Sequence, residues 1–191
     1  MTLLASFSHP VADAQRAFRR ILKAMSEPGV MVSLPSLPAW GKASCAATAV
    51  MMTLVDRETP LWIDDALRDD ALLSNLRFHT GAPITDSTEA PFALMHAKSA
   101  TSIDRFSPGD NLSPEKSSTL IIDVPALSGG LTLRLRGPGL QERRAIAPQL
   151  PESVLSYLRD RNHRFPQGID LIFTCGENMM ALPRSTDVEV C

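Results

Sequence analysis

Apolar residues recur at helical spacing between Asp13 and Met25, where Ala14, Phe18, Ile21, Leu22 and Met25 share one side. The pattern predicts an amphipathic helix capped by Asp13 and stopped at Pro28-Gly29, with Arg16, Arg19, Arg20 and Lys23 mostly on its other, solvated side. "VMVSL" (Val30–Leu34) then reads as a strand. "SCAATAVMMTLVD" (Ser44–Asp56) is apolar nearly all round and too long for a typical strand, so it predicts a buried helix.

Downstream, "PLWI" (Pro60–Ile63) and "PFALMHA" (Pro91–Ala97) are strand-like, and "DDALLSNLRFHTG" (Asp69–Gly81) is a helix with a cap and a glycine terminator. The polar stretch Lys98–Ser118 predicts a mobile surface loop. "TLIIDV" (Thr119–Val124) and "LTLRLRG" (Leu131–Gly137), joined through "PALSGG", give a hairpin signal with glycine in the turn. A helix is expected over Pro151–Arg161. "IDLIFT" and "MMALP" flank a short connection, Cys175–Asn178, that predicts a second hairpin. Strands interleaved with at least four helices, through both crossover-like and hairpin connections, predict an α/β chain with a mixed sheet flanked by helices. No repeat or linker divides the chain, so residues 1–191 are expected to form a single domain.

Composition narrows the function classes. The 191 residues are 44% apolar and 21% charged, ordinary globular values, and the net charge of -2 offers no electrostatic footprint for nucleic acid. The N-terminal stretch has no basic segment followed by a long apolar one, which predicts a cytoplasmic protein without a membrane partner. Cys45, Cys175 and Cys191 are odd in number and lack a CxxC pair, so free thiols are expected.

Chemistry is sparse. Cys175 follows an apolar run and precedes Gly176-Glu177, a display that raises the question of a nucleophile. A neighbouring glutamate disfavours the thiolate, however, and a turn residue is the plainer reading. His9, His79, His96 and His163 are scattered without metal-ligand spacing, and no metal site is expected. "SGG" (Ser128–Gly130) and "GPG" (Gly137–Gly139) match no phosphate-loop pattern and read as turns. In "LTLRLRG", Arg134 and Arg136 share one strand face, roughly 7 Å apart. With Arg143 and Arg144 beyond, they make an arginine cluster suited to carboxylates, phosphate or a partner surface.

Four stretches carry a resemblance: "DAQRAFRRILKAMSEPGV" (Asp13–Val30), "LRFHTGAP" (Leu76–Pro83), "IAPQLPE" (Ile146–Glu152) and "FPQGIDLIFTCGENMMALPRSTDVEVC" (Phe165–Cys191). Together and in this order they resemble the PhnH family, subunits of the bacterial carbon–phosphorus lyase complex. Thr85–Ser118 is the part without a match. The resemblance implies a fold similar to the large domain of pyridoxal-phosphate-dependent transferases without their cofactor site. Consistently, Lys23, Lys42, Lys98 and Lys116 lie in settings unlike that of a Schiff-base lysine.

It further implies a non-catalytic subunit, taking part in synthesis of alpha-D-ribose 1-methylphosphonate 5-triphosphate from ATP and methylphosphonate. No catalytic, cofactor or metal residues carry over. The expected partners are the other subunits of the complex and, in isolation, a second copy of the chain. Arg134 and Arg136 and the apolar hairpin Ile169–Pro183 are the candidate contact surfaces. The rival readings are an autonomous enzyme using Cys175 and a cofactor-bearing transferase.

Overall fold

The computed structural model describes residues 3–191. The first helix, α1 (Pro10–Ser26), starts before the expected cap because Pro10 fits a first helical position, where its missing N–H has no partner to lose. Asp13 acts from inside the helix instead, its carboxylate accepting the His9 amide at 2.9 Å. The expected apolar side is only partly buried: Ala17, Ile21 and Ala24 face the core, whereas Phe18 and Leu22 are 49% and 54% exposed. Small Ala17 and Ala24 let the helix lie close to its neighbours, which leaves the outer part of the apolar arc uncovered.

α2 (Cys45–Leu54) and α3 (Asp70–His79) form where expected; the cap expected for α3 is present, and α2 has one that the sequence pattern did not signal. The Ser44 hydroxyl accepts Ala47 N at 3.1 Å, and Asp69 accepts Leu72 N at 2.8 Å. Every residue from Ala46 to Met51 is buried, as the all-round apolar pattern requires. α4 (Glu152–Arg159) buries Val154, Leu155, Tyr157 and Leu158.

The strands are β1 (Val32–Ser33), β2 (Leu61–Ile63), β3 (Ile84–Thr85), β4 (Phe92–His96), β5 (Thr119–Asp123), β6 (Leu133–Arg136), β7 (Arg144–Ile146), β8 (Asp170–Cys175), β9 (Asn178–Leu182) and β10 (Asp187–Val190). Seven form a mixed sheet in the order β1-β9-β8-β5-β4-β2-β3, parallel from β8 to β3 and antiparallel at β9 and β1. Three form a small antiparallel sheet, β10-β6-β7.

One face of the large sheet, with Ile63, Leu94, Ile121 and Ile172, packs on α1, α2 and α3. The other, with Met95, Ile122 and Phe173, is covered by α4 and by Leu133 and Leu135 of the small sheet. The result is a three-layer α/β architecture. Each fully buried side chain of this size contributes about 1.5–3 kcal/mol.

Three expectations change. Thr119–Val124 and Leu131–Gly137 do not form a hairpin: β5 lies between β4 and β8, parallel to both, while β6 belongs to the small sheet. The run Leu120–Val124 is buried on both faces, which is how a central parallel strand reads. Nor is Lys98–Ser118 a free loop. It is the crossover between parallel β4 and β5, pinned by Ile103 and Phe106, which are 0% and 1% exposed, and Phe106 meets Trp62 edge-on at 5.2 Å.

The β8–β9 hairpin is present, with Gly176 at φ 56° in its two-residue turn. Its residues Leu171–Thr174 and Met179–Leu182 are buried within the large sheet, so the apolar hairpin is core and unavailable as a contact surface.

Candidate functional site

In an open α/β sheet the crevice beyond the carboxyl ends of the parallel strands is where ligands usually bind. Here that edge brings together Asp64 after β2, His96 of β4, Asp123 of β5, and Thr174 and Cys175 of β8, beside the N-terminus of α2. These groups bind one another. Asp123 accepts the Thr174 hydroxyl through Oδ1 and the Ser44 amide, at 2.6 Å, through Oδ2. Asp64 accepts the amides of Ala66 and His96 at 3.1 and 3.4 Å, and His96 Nδ1 accepts the Lys98 amide at 3.1 Å. The edge is closed by its own side chains, and its carboxylates serve turns and a helix start.

Cys175 is half-buried against the second core, and its thiol donates to the Pro125 carbonyl at 3.3 Å. This contact gives the sulfur a carbonyl neighbour, not a base or cation that would prepare a nucleophile. No histidine activates it among the described residues: His79 bonds the Leu4 carbonyl at 3.0 Å and stacks on Trp40, and the rings of His9 and His163 hydrogen-bond to no described residue. Nothing in this geometry supports a cysteine-dependent enzyme. Glu177 accepts the Ser36 hydroxyl at 2.7 Å, which fastens the hairpin tip to the segment before α2.

The lysines are dispersed. Lys23 pairs with Glu27 and Lys42 donates to the Ala66 carbonyl at 3.0 Å, while Lys98 and Lys116 are exposed. Among the described residues no three His, Cys, Asp or Glu side chains gather where they could hold a metal ion, and no described helix is long and apolar enough to cross a membrane. Neither glycine stretch precedes a helix: Gly130 approaches the Pro148 carbonyl and Gly139 the Ser26 carbonyl so closely that a Cβ would collide with backbone.

The arginine cluster is assembled, and its partners come from a strand the sequence reading missed. In the small sheet Arg136 stands opposite Asp187 and Arg134 opposite Glu189. Arg136 Nε hydrogen-bonds Asp187, and Arg134 lies 3.9 Å from Glu189. Arg143 joins them without an ion pair among the described residues, and the set lines a concavity of about 210 Å³. A broader groove, about 730 Å³, continues along Gly139–Ala145 toward Glu27. Arg144 is turned away from the others, donating to the Pro28 carbonyl at 2.8 Å and locking the small sheet onto the end of α1. The signal that could have found β10 is the alternation of "DVEV", complementary in charge to "RLR".

Fold and site together define a three-layer α/β protein whose sheet-edge carboxylates bond within the chain and whose side sheet bears a concave arginine cluster. Residues 5–189 match the family model of PhnH, the bacterial phosphonate metabolism protein. The chain is 37% identical over 191 residues to the alpha-D-ribose 1-methylphosphonate 5-triphosphate synthase subunit PhnH of Rhizobium meliloti, covering 96% of this chain and 94% of the relative. It is 31% identical over 180 residues to the "Putative C-P lyase subunit protein HtxG" of Stutzerimonas stutzeri, covering 92% of this chain and 86% of the relative. The chain belongs to the PhnH family.

Proposed function

We propose that this chain is a non-catalytic, structural subunit of the carbon–phosphorus lyase core complex, taking part in synthesis of alpha-D-ribose 1-methylphosphonate 5-triphosphate from ATP and methylphosphonate. The observation that carries the reading is the near full-length similarity to a synthase subunit, 37% identity over 96% of the chain. The closed carboxyl edge of the sheet and the carbonyl-bound thiol of Cys175 favour a scaffold over an enzyme. Arg134 and Arg136, exposed and beside Arg143, which makes no ion pair among the described residues, serve as a contact for a neighbouring subunit.

We further infer a kinship with the large domain of pyridoxal-phosphate-dependent transferases, supported by the seven-stranded mixed sheet with helices on both faces. Its four lysines are dispersed, which favours loss of the cofactor site. A cytoplasmic location accords with three unpaired cysteines, and a homodimer is the expected state of the isolated chain.

The test is genetic. A strand-by-strand intact chain, supplied from a plasmid, should restore growth on methylphosphonate as sole phosphorus source to a host lacking its own copy. Normal growth of the uncomplemented deletion strain would overturn the proposal.

A further inference from the structure

The outer face of α1 carries more apolar surface than the fold uses. Val11, Phe18 and Leu22 are 74%, 49% and 54% exposed. Their spacing of seven and then four residues sets them in one line along the helix, about 16 Å from end to end. Beside the line, Ala14, Gln15, Phe18 and Arg19 of α1 and Thr53 of α2 enclose a shallow groove of about 290 Å³. The helix cannot roll to hide these side chains, because Ala17, Ile21 and Ala24 on its opposite edge are fixed in the core.

The charge on this helix is one-sided. α1 holds four cations, Arg16, Arg19, Arg20 and Lys23, against a single carboxylate, Asp13, in a chain whose net charge is -2. Arg16 pairs with Asp13 and Lys23 with Glu27, both on the helix's own side. Arg19 and Arg20 make no ion pair or side-chain hydrogen bond among the described residues. Arg19 also forms one wall of the groove.

We propose that this face is a docking surface for an amphipathic helix of another subunit, one whose apolar stripe is bordered by acidic residues. The inference rests on the reading of the chain as a subunit of a larger assembly. Apolar anchors in line at i, i+7 and i+11 beside a groove are how one helix seats on another, and the uncompensated Arg19, which walls that groove, selects carboxylates beside the stripe. A second copy of the chain is a poor occupant. A two-fold contact would bring the basic rows of two α1 helices together. A lipid surface fits poorly too: the exposed apolar line is narrow, and a flat headgroup layer does not fill a concavity between two helices.

The experiment uses the full chain co-expressed with the remaining subunits of the complex. The variant Phe18→Ser with Leu22→Ser is expected to reduce the amount of chain retained in the purified complex by about tenfold or more, with an unchanged melting curve. Arg19→Glu should weaken retention by itself. A photo-crosslinking residue substituted for Leu22 should join the chain to an acid-flanked helix of another subunit.

Normal retention of the double variant overturns the docking surface alone. A wild-type chain that enters no complex overturns the subunit reading with it. Crosslinking to a second copy of this chain, or Phe18-dependent sedimentation with phosphatidylcholine–phosphatidylserine vesicles, assigns the face to another occupant and overturns the proposal.

Discussion

Asp123 holds the backbone amide of Ser44 at 2.6 Å, so that the end of a central strand fixes the start of the most buried helix. The carboxylate is 9% exposed and takes the Thr174 hydroxyl with its other oxygen. The carboxylate thereby joins β5, β8 and α2. Asp123→Ala is therefore expected to cost about 2–4 kcal/mol of stability in urea unfolding, since it removes two bonds and leaves the half-buried Ser44 amide without this partner. A loss below about 0.5 kcal/mol would contradict the clamp.

Tyr157 offers a pH test, because it is the only tyrosine in the chain. Burial raises its phenol above the ordinary value of 10.0, with Asp104 and Asp170 adding to the rise; the Ile169 amide, which donates to its oxygen at 3.2 Å, and the cation of Arg161 act the other way. A phenol kept protonated in the folded state stabilises fully below its unfolded value, and that contribution is lost as pH climbs through the folded value. Stability should fall above about pH 10. Tyr157→Phe should flatten that fall while costing about 1 kcal/mol at neutral pH through the lost Ile169 bond. An equally steep alkaline fall in the variant would assign the effect elsewhere.

Much of this arrangement was legible because it is local. Asp69 caps the helix it precedes, the all-round apolar run after Ser44 is a buried helix, and the two apolar runs around Gly176 pair as a hairpin. The failures are non-local. The "PALSGG" turn resembles a hairpin connection, yet the unbroken apolar run of β5 belongs between two parallel strands. In Lys98–Ser118 the polar composition hides two anchors, Ile103 and Phe106, whose role depends on a sheet face assembled from distant strands. The arginine pair was visible, but Asp187 and Glu189, about fifty residues away in the chain, were not, since only the β6–β10 register brings them together.

Cys175→Ser should leave phosphonate utilisation intact. Serine retains a donor for the Pro125 carbonyl, and no base stands beside the sulfur among the described residues. Growth rate on methylphosphonate is the readout; a folded, abundant serine variant that supports no growth would revive the nucleophile.

Arg134→Ala together with Arg136→Ala should separate folding from assembly. Their pairs with Glu189 and Asp187 are more than half exposed, and such pairs contribute about 0–1 kcal/mol each. The melting transition should barely move, while retention in the complex falls about tenfold. Retention equal to wild type would remove this contact from the account.

The central claim, that the chain contributes surfaces and no chemistry, is tested most directly by measuring adenine release from ATP in the presence of methylphosphonate. The account predicts no release by the purified chain alone, and release by the complete complex in which the chain is a stoichiometric component and Cys175→Ser is silent. Turnover by the isolated chain, abolished by Cys175→Ser, would contradict it.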